Sequence, residues 1–181
     1  MIRAFFAIPI MFTQCHSIQS AAQPIIEKLG DNVRWVSFNH WHLTVRFLGD
    51  VHGEVIAALT HSVQHVVEKV PVFQFKINKI YGFPSMYSRT IAAHAFTNKE
   101  LNVLFKELDD AANLLGLPRE LRRFRPHITL AKFKARVYPY DPVLLKDFIL
   151  TANELVLYQS KPDKQNSQSE YIPLQTFPFI Q

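Results

Sequence analysis

The chain has 181 residues, of which 48% are hydrophobic and 19% charged. That composition excludes a disordered chain and leaves room for a sizeable core in one domain, or in two small lobes that share a site. Net charge is +5, with an isoelectric point near 9.4, which favours an acidic partner such as nucleic acid or a phosphate ester.

The opening "MIRAFFAIPIMFTQC" has one Arg before a short apolar run. Pro9 interrupts that run and no small-residue cleavage site follows, so residues 2–8 read as a buried strand and not as a signal peptide. Thr13 can cap a helix that turns Ile18, Ala22, Ile25 and Leu29 inward and stops at Gly30, with Pro24 disturbing its first turns. Residues 54–70 carry Val55, Leu59, Val63, Val66 and Val70 on one helical stripe. "TNKE", 97–100, has the form of a capping box. Leu101, Leu104, Phe105, Leu108, Ala112 and Leu115 follow it at helical spacing, and Gly116 and Pro118 close the helix. Strand-like stretches lie at 3–8, 33–38, 42–48, 73–81, 90–96, 127–133, 148–151, 155–159 and 171–175, with a polar loop over 161–170. Many strands follow one another without an intervening helix, so the sheets should be mainly antiparallel and the fold α+β. Nothing reaches transmembrane length. The single cysteine, Cys15, excludes an internal disulfide framework or thiolate metal site and fits a reducing, cytoplasmic location.

The basic residues are not spread evenly. Arg119, Arg122, Arg123, Arg125, Lys132, Lys134 and Arg136 fall within 119–136 against one acid, Glu120, while the rest of the chain is nearly neutral. Such local basicity can build a patch for an acidic ligand. Arg122 and Arg123 fit long-range steering of that ligand better than specific contacts.

Inside "WHLTVRFLGD", 41–50, apolar Leu43, Val45 and Phe47 alternate with His42, Thr44 and Arg46. "RPHITLAKF", 125–133, repeats the arrangement 85 positions later, with His127 and Thr129. With 8 His in the chain, random placement would give two or more His-x-Thr pairs in roughly one sequence in twenty. The repeat therefore reads as an internal duplication, each half supplying one strand. Residues i and i+2 of a strand share a face, so each imidazole projects beside a hydroxyl. Two such strands across a cleft would bring together an acid, a base and two hydrogen-bond donors for phosphoryl oxygens, a set suited to in-line displacement at phosphorus without a metal. On these residues alone, the acid and base roles are interchangeable.

Paired "HLTV" and "HITL" motifs resemble those of the two-histidine phosphoesterase superfamily. "RAFFAIPI", "VRWVSFNHWHLTVRFLGDV", "RFRPHITLAKF" and "LVLYQSK…Y" further resemble the bacterial RNA 2′,3′-cyclic phosphodiesterase family, historically called 2′-5′ RNA ligases. The resemblance runs over nearly the whole chain. It implies one two-lobed domain over 1–181, with two mainly antiparallel sheets related by a pseudo-twofold, helices outside and the site in the cleft between the sheets. It implies hydrolysis of an RNA-terminal 2′,3′-cyclic phosphate to a 2′-phosphate, without cofactor or metal. His42 corresponds to the proton donor and His127 to the proton acceptor, with Thr44 and Thr129 holding the phosphate. Partners would be RNA ends or nucleoside 2′,3′-cyclic phosphates, met by a monomer away from any membrane. The family often has Arg where Lys132 stands, and an aromatic residue within the strand that reads "TIAAHAF" here. Cleavage or ligation of 2′,5′ linkages would use the same acid and base. A non-catalytic RNA-end binding module is the non-enzyme alternative.

Arg46 shares the parity of His42 and Thr44, so it can approach a phosphate or close a salt bridge at the strand end. Arg125, held extended by Pro126, and Lys132 are further candidates for substrate contact. His61 and His65 stand at i, i+4, but no third metal ligand accompanies them, so a solvated helix face is the better reading. His94 faces either cleft or core. Phe83, Tyr87 and Phe133 could stack on a base, with packing as the default.

Overall fold

A computed structural model describes residues 1–162 and 169–181. Its elements run β1 (Ile2–Pro9), α1 (Phe12–Ala21), α2 (Gln23–Leu29), β2 (Val33–Trp35), β3 (His42–Val51), α3 (Gly53–Val67), β4 (Phe73–Phe83), β5 (Thr90–Ala95), α4 (Lys99–Leu114), β6 (His127–Phe133), β7 (Val143–Ala152), β8 (Glu154–Pro162) and β9 (Ser169–Pro178). The expected helix over 13–29 is two helices, because Pro24 lies in the first turn of α2 and supplies no N–H to continue α1. The expected loop over 161–170 is shorter: Lys161 and Pro162 end β8, Ser169 and Glu170 begin β9, and 163–168 lie outside the described residues.

The α+β, antiparallel character holds, but the two expected sheets are arms of one hydrogen-bonded sheet. Its order is β7-β4-β5-β6-β3-β1-β8-β9, with β2 paired to β6, and the ladders between these strands are antiparallel. The arms join where Leu43 of β3 pairs with Ile128 of β6. Further along β6, its partner is β2, and Val36 N–H donates to the Leu130 carbonyl at 2.8 Å. One arm joins the early strands β1 and β3 to the late strands β8 and β9, while the other is the consecutive run β4 to β7 in a different order.

Alternation along β1 assigns the two faces. Phe6 is fully buried and meets Phe177, whereas Phe5 turns to the other face, toward His42, Phe47, Tyr158 and Tyr171. Leu43, Ile128, Leu59, Leu101, Leu104 and Leu108 belong to the fully buried core. Each such side chain contributes about 1.5–3 kcal/mol relative to exposure. Helix α4 packs on α3 and against β3.

The cap of α4 is one residue later than "TNKE" suggests. Asn98 Oδ1 accepts from Leu101 N–H at 2.9 Å, and its Nδ2 donates to the Gln74 carbonyl of β4 at 2.7 Å. One side chain thus closes the helix end and ties it to the sheet. Asn98→Ala should lower stability by about 1–2 kcal/mol, read as a lower urea midpoint at unchanged slope.

Candidate active site

Both motifs lie at the joint between the arms. With Leu43 opposite Ile128 in an antiparallel pair, Thr129 falls opposite His42 and His127 opposite Thr44. The hollows on either side follow that cross. One is lined by His42, Thr44, Thr129, Lys132, Arg34, Val36, His40, Ser169 and Tyr171. The other is lined by Thr44, His127, Phe47, Phe83, Phe105, Phe124 and the side chains of Arg122, Arg123 and Arg125, among others. Thr44 borders both, so the hollows adjoin at its side chain as a trough with His42 lining one side and His127 the other.

The two imidazoles are held in the same way. His42 Nδ1 lies 2.8 Å from the carbonyl of His40, and His127 Nδ1 lies 2.9 Å from the carbonyl of Arg125. A carbonyl only accepts, so each Nδ1 carries the proton and each Nε2 is left for chemistry. Each ring also has an aromatic wall. Phe5 lies 5.0 Å from His42, with Tyr171 edge-on at 5.0 Å, and Phe83 stacks on His127 at 3.6 Å. Gly82 allows the turn after β4 that presents Phe83, because a Cβ there would stand 2.5 Å from the Ser85 carbonyl oxygen.

These walls set the electrostatics. Burial pushes His42 down to about 4, offset in part by the His40 carbonyl and reinforced by the positive charge of His127 and His40 when protonated. Burial also lowers His127, with the Arg125 carbonyl opposing and the Arg125 guanidinium adding to the shift. Both rings are therefore neutral at pH 7 in the free protein, and a charge on His127 further disfavours one on His42.

A shared irregularity decides which later residues reach the trough. In β3, Ala7 pairs with Thr44 and Phe6 with Arg46, so Val45 is bulged. In β6, Ala92 pairs with Thr129 and Ile91 with Ala131, so Leu130 is bulged at the equivalent position. Each bulge inverts the alternation. Arg46 still borders the second hollow, but its side chain is drawn inward: it is 5% exposed, and its Nε donates to Asp109 Oδ1 at 2.8 Å. Its remaining nitrogens donate to the carbonyls of Phe47 and Pro118. The salt-bridge reading of Arg46 is the one the structure adopts, with the guanidinium nitrogens engaged by protein partners. In β6, the same inversion turns Lys132 into the trough and buries Ala131.

Arg125 is exposed beside His127, donating to the Pro84 carbonyl at 2.9 Å and lying 4.9 Å from the centre of the Phe83 ring. Arg122 is paired with Glu120, and Arg119 with Asp109 and Asp110, so part of the basic cluster is neutralised locally. His94 pairs across strands with His127 and lies 5.6 Å from Phe83, at the edge of the trough. Phe133 is buried and Tyr87 exposed. His61 and His65 stand edge-on at 5.0 Å, and among the described residues no group of three His, Cys, Asp or Glu could hold a metal ion. Burial raises the Cys15 thiol to about 11, which makes it inert.

Arg34, Tyr171, Ser169 and His40 also line the trough and were not singled out by the sequence. Arg34 is cross-strand to Lys132, a pairing that no local pattern announces. Tyr171 arrives from β9 and needs the β8–β9 register to place it.

The sequence matches the family of LigT-like phosphoesterases over residues 16–92 and again over 96–167, each block holding one His-x-Thr motif. The chain belongs to this family. The LigT-like assignment agrees with curated relatives named RNA 2′,3′-cyclic phosphodiesterase. That of Thermotoga maritima is 30% identical over 141 residues, covering 74% of this chain and 71% of the relative. That of Geobacillus stearothermophilus is 26% identical over 156 residues and 81% of this chain, which spans only about half of that relative, 48%. The crystal structure of Escherichia coli LigT in apo form has the same fold, with a TM-score of 0.78 at 23% identity over 99% of this chain and 98% of that one. No helix among the described residues of this LigT-like chain is long and apolar enough to cross a membrane.

The lowered His42 value has a direct readout. Its ring proton signals in NMR should titrate near pH 4, well below the usual 6.5, and a bound phosphate monoester should move the midpoint upward. Because the folded value lies below the unfolded one, the contribution of neutral His42 to stability is present above pH 6.5 and is lost as pH falls toward about 4.

Proposed function

We propose that the protein hydrolyses the 2′,3′-cyclic phosphate at RNA ends to a 2′-phosphate, with His42 as proton donor and His127 as proton acceptor. The observation that carries this reading is the matched pair of Nε2 atoms, each fixed by an Nδ1 bond to the carbonyl two residues upstream and each opposite the other motif's threonine.

Chemistry follows from that geometry. The hydroxyls of Thr44 and Thr129 donate to the non-bridging oxygens, and Lys132 adds positive charge at the same wall. His127 Nε2 takes a proton from water as its oxygen attacks phosphorus, and His42 Nε2 gives a proton to the departing O3′. One P–O bond forms and one breaks, leaving a 2′-phosphate and a free 3′-hydroxyl. His42 is neutral in the free protein, so its catalytic proton enters with the substrate, whose negative charge offsets the cost of burial. Arg125 and Arg123, at the mouth of the second hollow, attract the RNA backbone. All four motif residues come from one chain, consistent with a monomer, and the buried thiol of Cys15 suits the cytoplasm.

The hollow beyond His127 favours a second reading on the same site. It lies on the nucleophile's side and, lined by Phe83, Phe105 and Phe124, has room for more than water. A nucleoside 5′-hydroxyl seated there would make the reaction a 2′,5′ ligation, and the reverse would be 2′,5′ cleavage.

Incubation with a short RNA ending in 2′,3′-cyclic phosphate should yield a 2′-phosphate at a rate unchanged by EDTA. His42→Ala and His127→Ala should each lower kcat by about 10²–10⁴-fold while circular dichroism stays unchanged. Either variant at full activity overturns the assignment. Release of a 5′-hydroxyl fragment from a 2′-5′ dinucleotide would mark the second reading.

A further inference from the structure

Arg46 and Asp109 are the buried charged residues among those described, at 5% and 6% exposure. Arg46 sits two positions beyond Thr44 on β3, and Asp109 is on α4. Both reach the same irregular stretch. Arg46 donates to the Pro118 carbonyl. Asp109 accepts from the Glu120 N–H at 3.0 Å and from Arg119 Nη1 at 3.1 Å. This stretch carries no helix or strand between the end of α4 and His127. It ends in Arg125 and Pro126, and the Arg125 carbonyl sets the His127 tautomer. Phe124, stacked on Phe105 of α4 at 4.7 Å, and Pro126, whose carbonyl accepts from Ala95 N–H at 3.0 Å, hold its later part. Its first part is held by the ion pair, together with Leu117 N–H donating to the Ala112 carbonyl at 3.0 Å and Asn113 Nδ2 donating to the Leu117 carbonyl at 3.2 Å.

We propose that the Arg46–Asp109 pair positions the base for the reaction, bracing the approach to His127 against the strand that carries His42 and Thr44. The proposal rests on the acid–base reading above. A buried ion pair returns little net stability after desolvation, and apolar residues of similar volume often replace one without loss. What it supplies here is direction: the carboxylate and guanidinium each hold two or three donors or acceptors at fixed angles, on three separate segments. An error of about 1 Å in a catalytic group costs up to 10²-fold in rate.

The test separates positioning from stability. Either residue changed alone leaves an orphan charge, so the pair is neutralised together as Arg46→Met with Asp109→Leu. That variant should fold, by circular dichroism and Tm, yet lose about tenfold or more in kcat, with KM changed far less. The ¹⁵N shifts of the His127 ring should move from a single Nδ1–H tautomer toward a mixture. Arg46→Lys should not rescue, because one ammonium cannot span Asp109 and two carbonyls. Arg119→Ala removes one donor from a half-exposed side chain, leaves the core intact and should give a smaller loss of the same kind. This variant decides the matter if the double variant does not fold. Wild-type kcat together with an unchanged His127 tautomer, in the folded double variant or in Arg119→Ala, overturns the proposal. The ring shifts need no turnover, so a wild-type protein inactive on cyclic phosphate would sink the functional reading while the bracing role is still judged.

Discussion

One backbone pairing carries the site: Leu43 against Ile128. It stitches two four-stranded arms into one sheet and sets the register in which each histidine meets the other motif's threonine. A slip of one residue there would turn one motif's side chains to the opposite face from the other's. One imidazole would then enter the core, and the apolar residue beside it, Leu43 or Ile128, would face water. Burial of those two side chains therefore fixes the chemistry as firmly as it fixes the fold.

What each motif adds is local and repeated. The carbonyl two residues before each histidine orients its ring, an aromatic side chain backs it, and a bulge follows one residue after the threonine. The equivalence holds at the backbone while the side chains have diverged. After one bulge comes Arg46, buried and paired, and after the other comes Ala131, buried and small. The residues next in line, Phe47 and Lys132, both face the trough, and only the second brings charge.

The legible parts of the sequence were those that depend on period and type. Alternation placed β1, β3 and β6, and the repeated His-x-Thr marked both halves of the site. Its blind spots have specific causes. Parity put Arg46 beside Thr44 because nothing in "TVRF" distinguishes a bulge from regular pleating, and the same bulge, unseen in "TLAK", is what delivers Lys132. Helix periodicity passed through Pro24 because Ala22, Ile25 and Leu29 keep their spacing across the break. Thr97 competed with Asn98 for the cap, and the reach of Asn98 to the Gln74 carbonyl is a tertiary preference. Arg34 and Tyr171 enter the trough through pairings distant along the chain, β2 with β6 and β9 with β8.

The interleaved strand order also bears on how the chain reaches this state. Ala4 pairs with Gln159, and β4 has β5 on one side and β7, some seventy residues later in sequence, on the other. Neither arm can close until most of the polypeptide has left the ribosome. Until then β1 and β4 each present an unpaired apolar edge, so assembly is governed by long loop closures and is slow for a protein of this size. A nascent chain arrested before β8 would offer those edges to any other strand nearby.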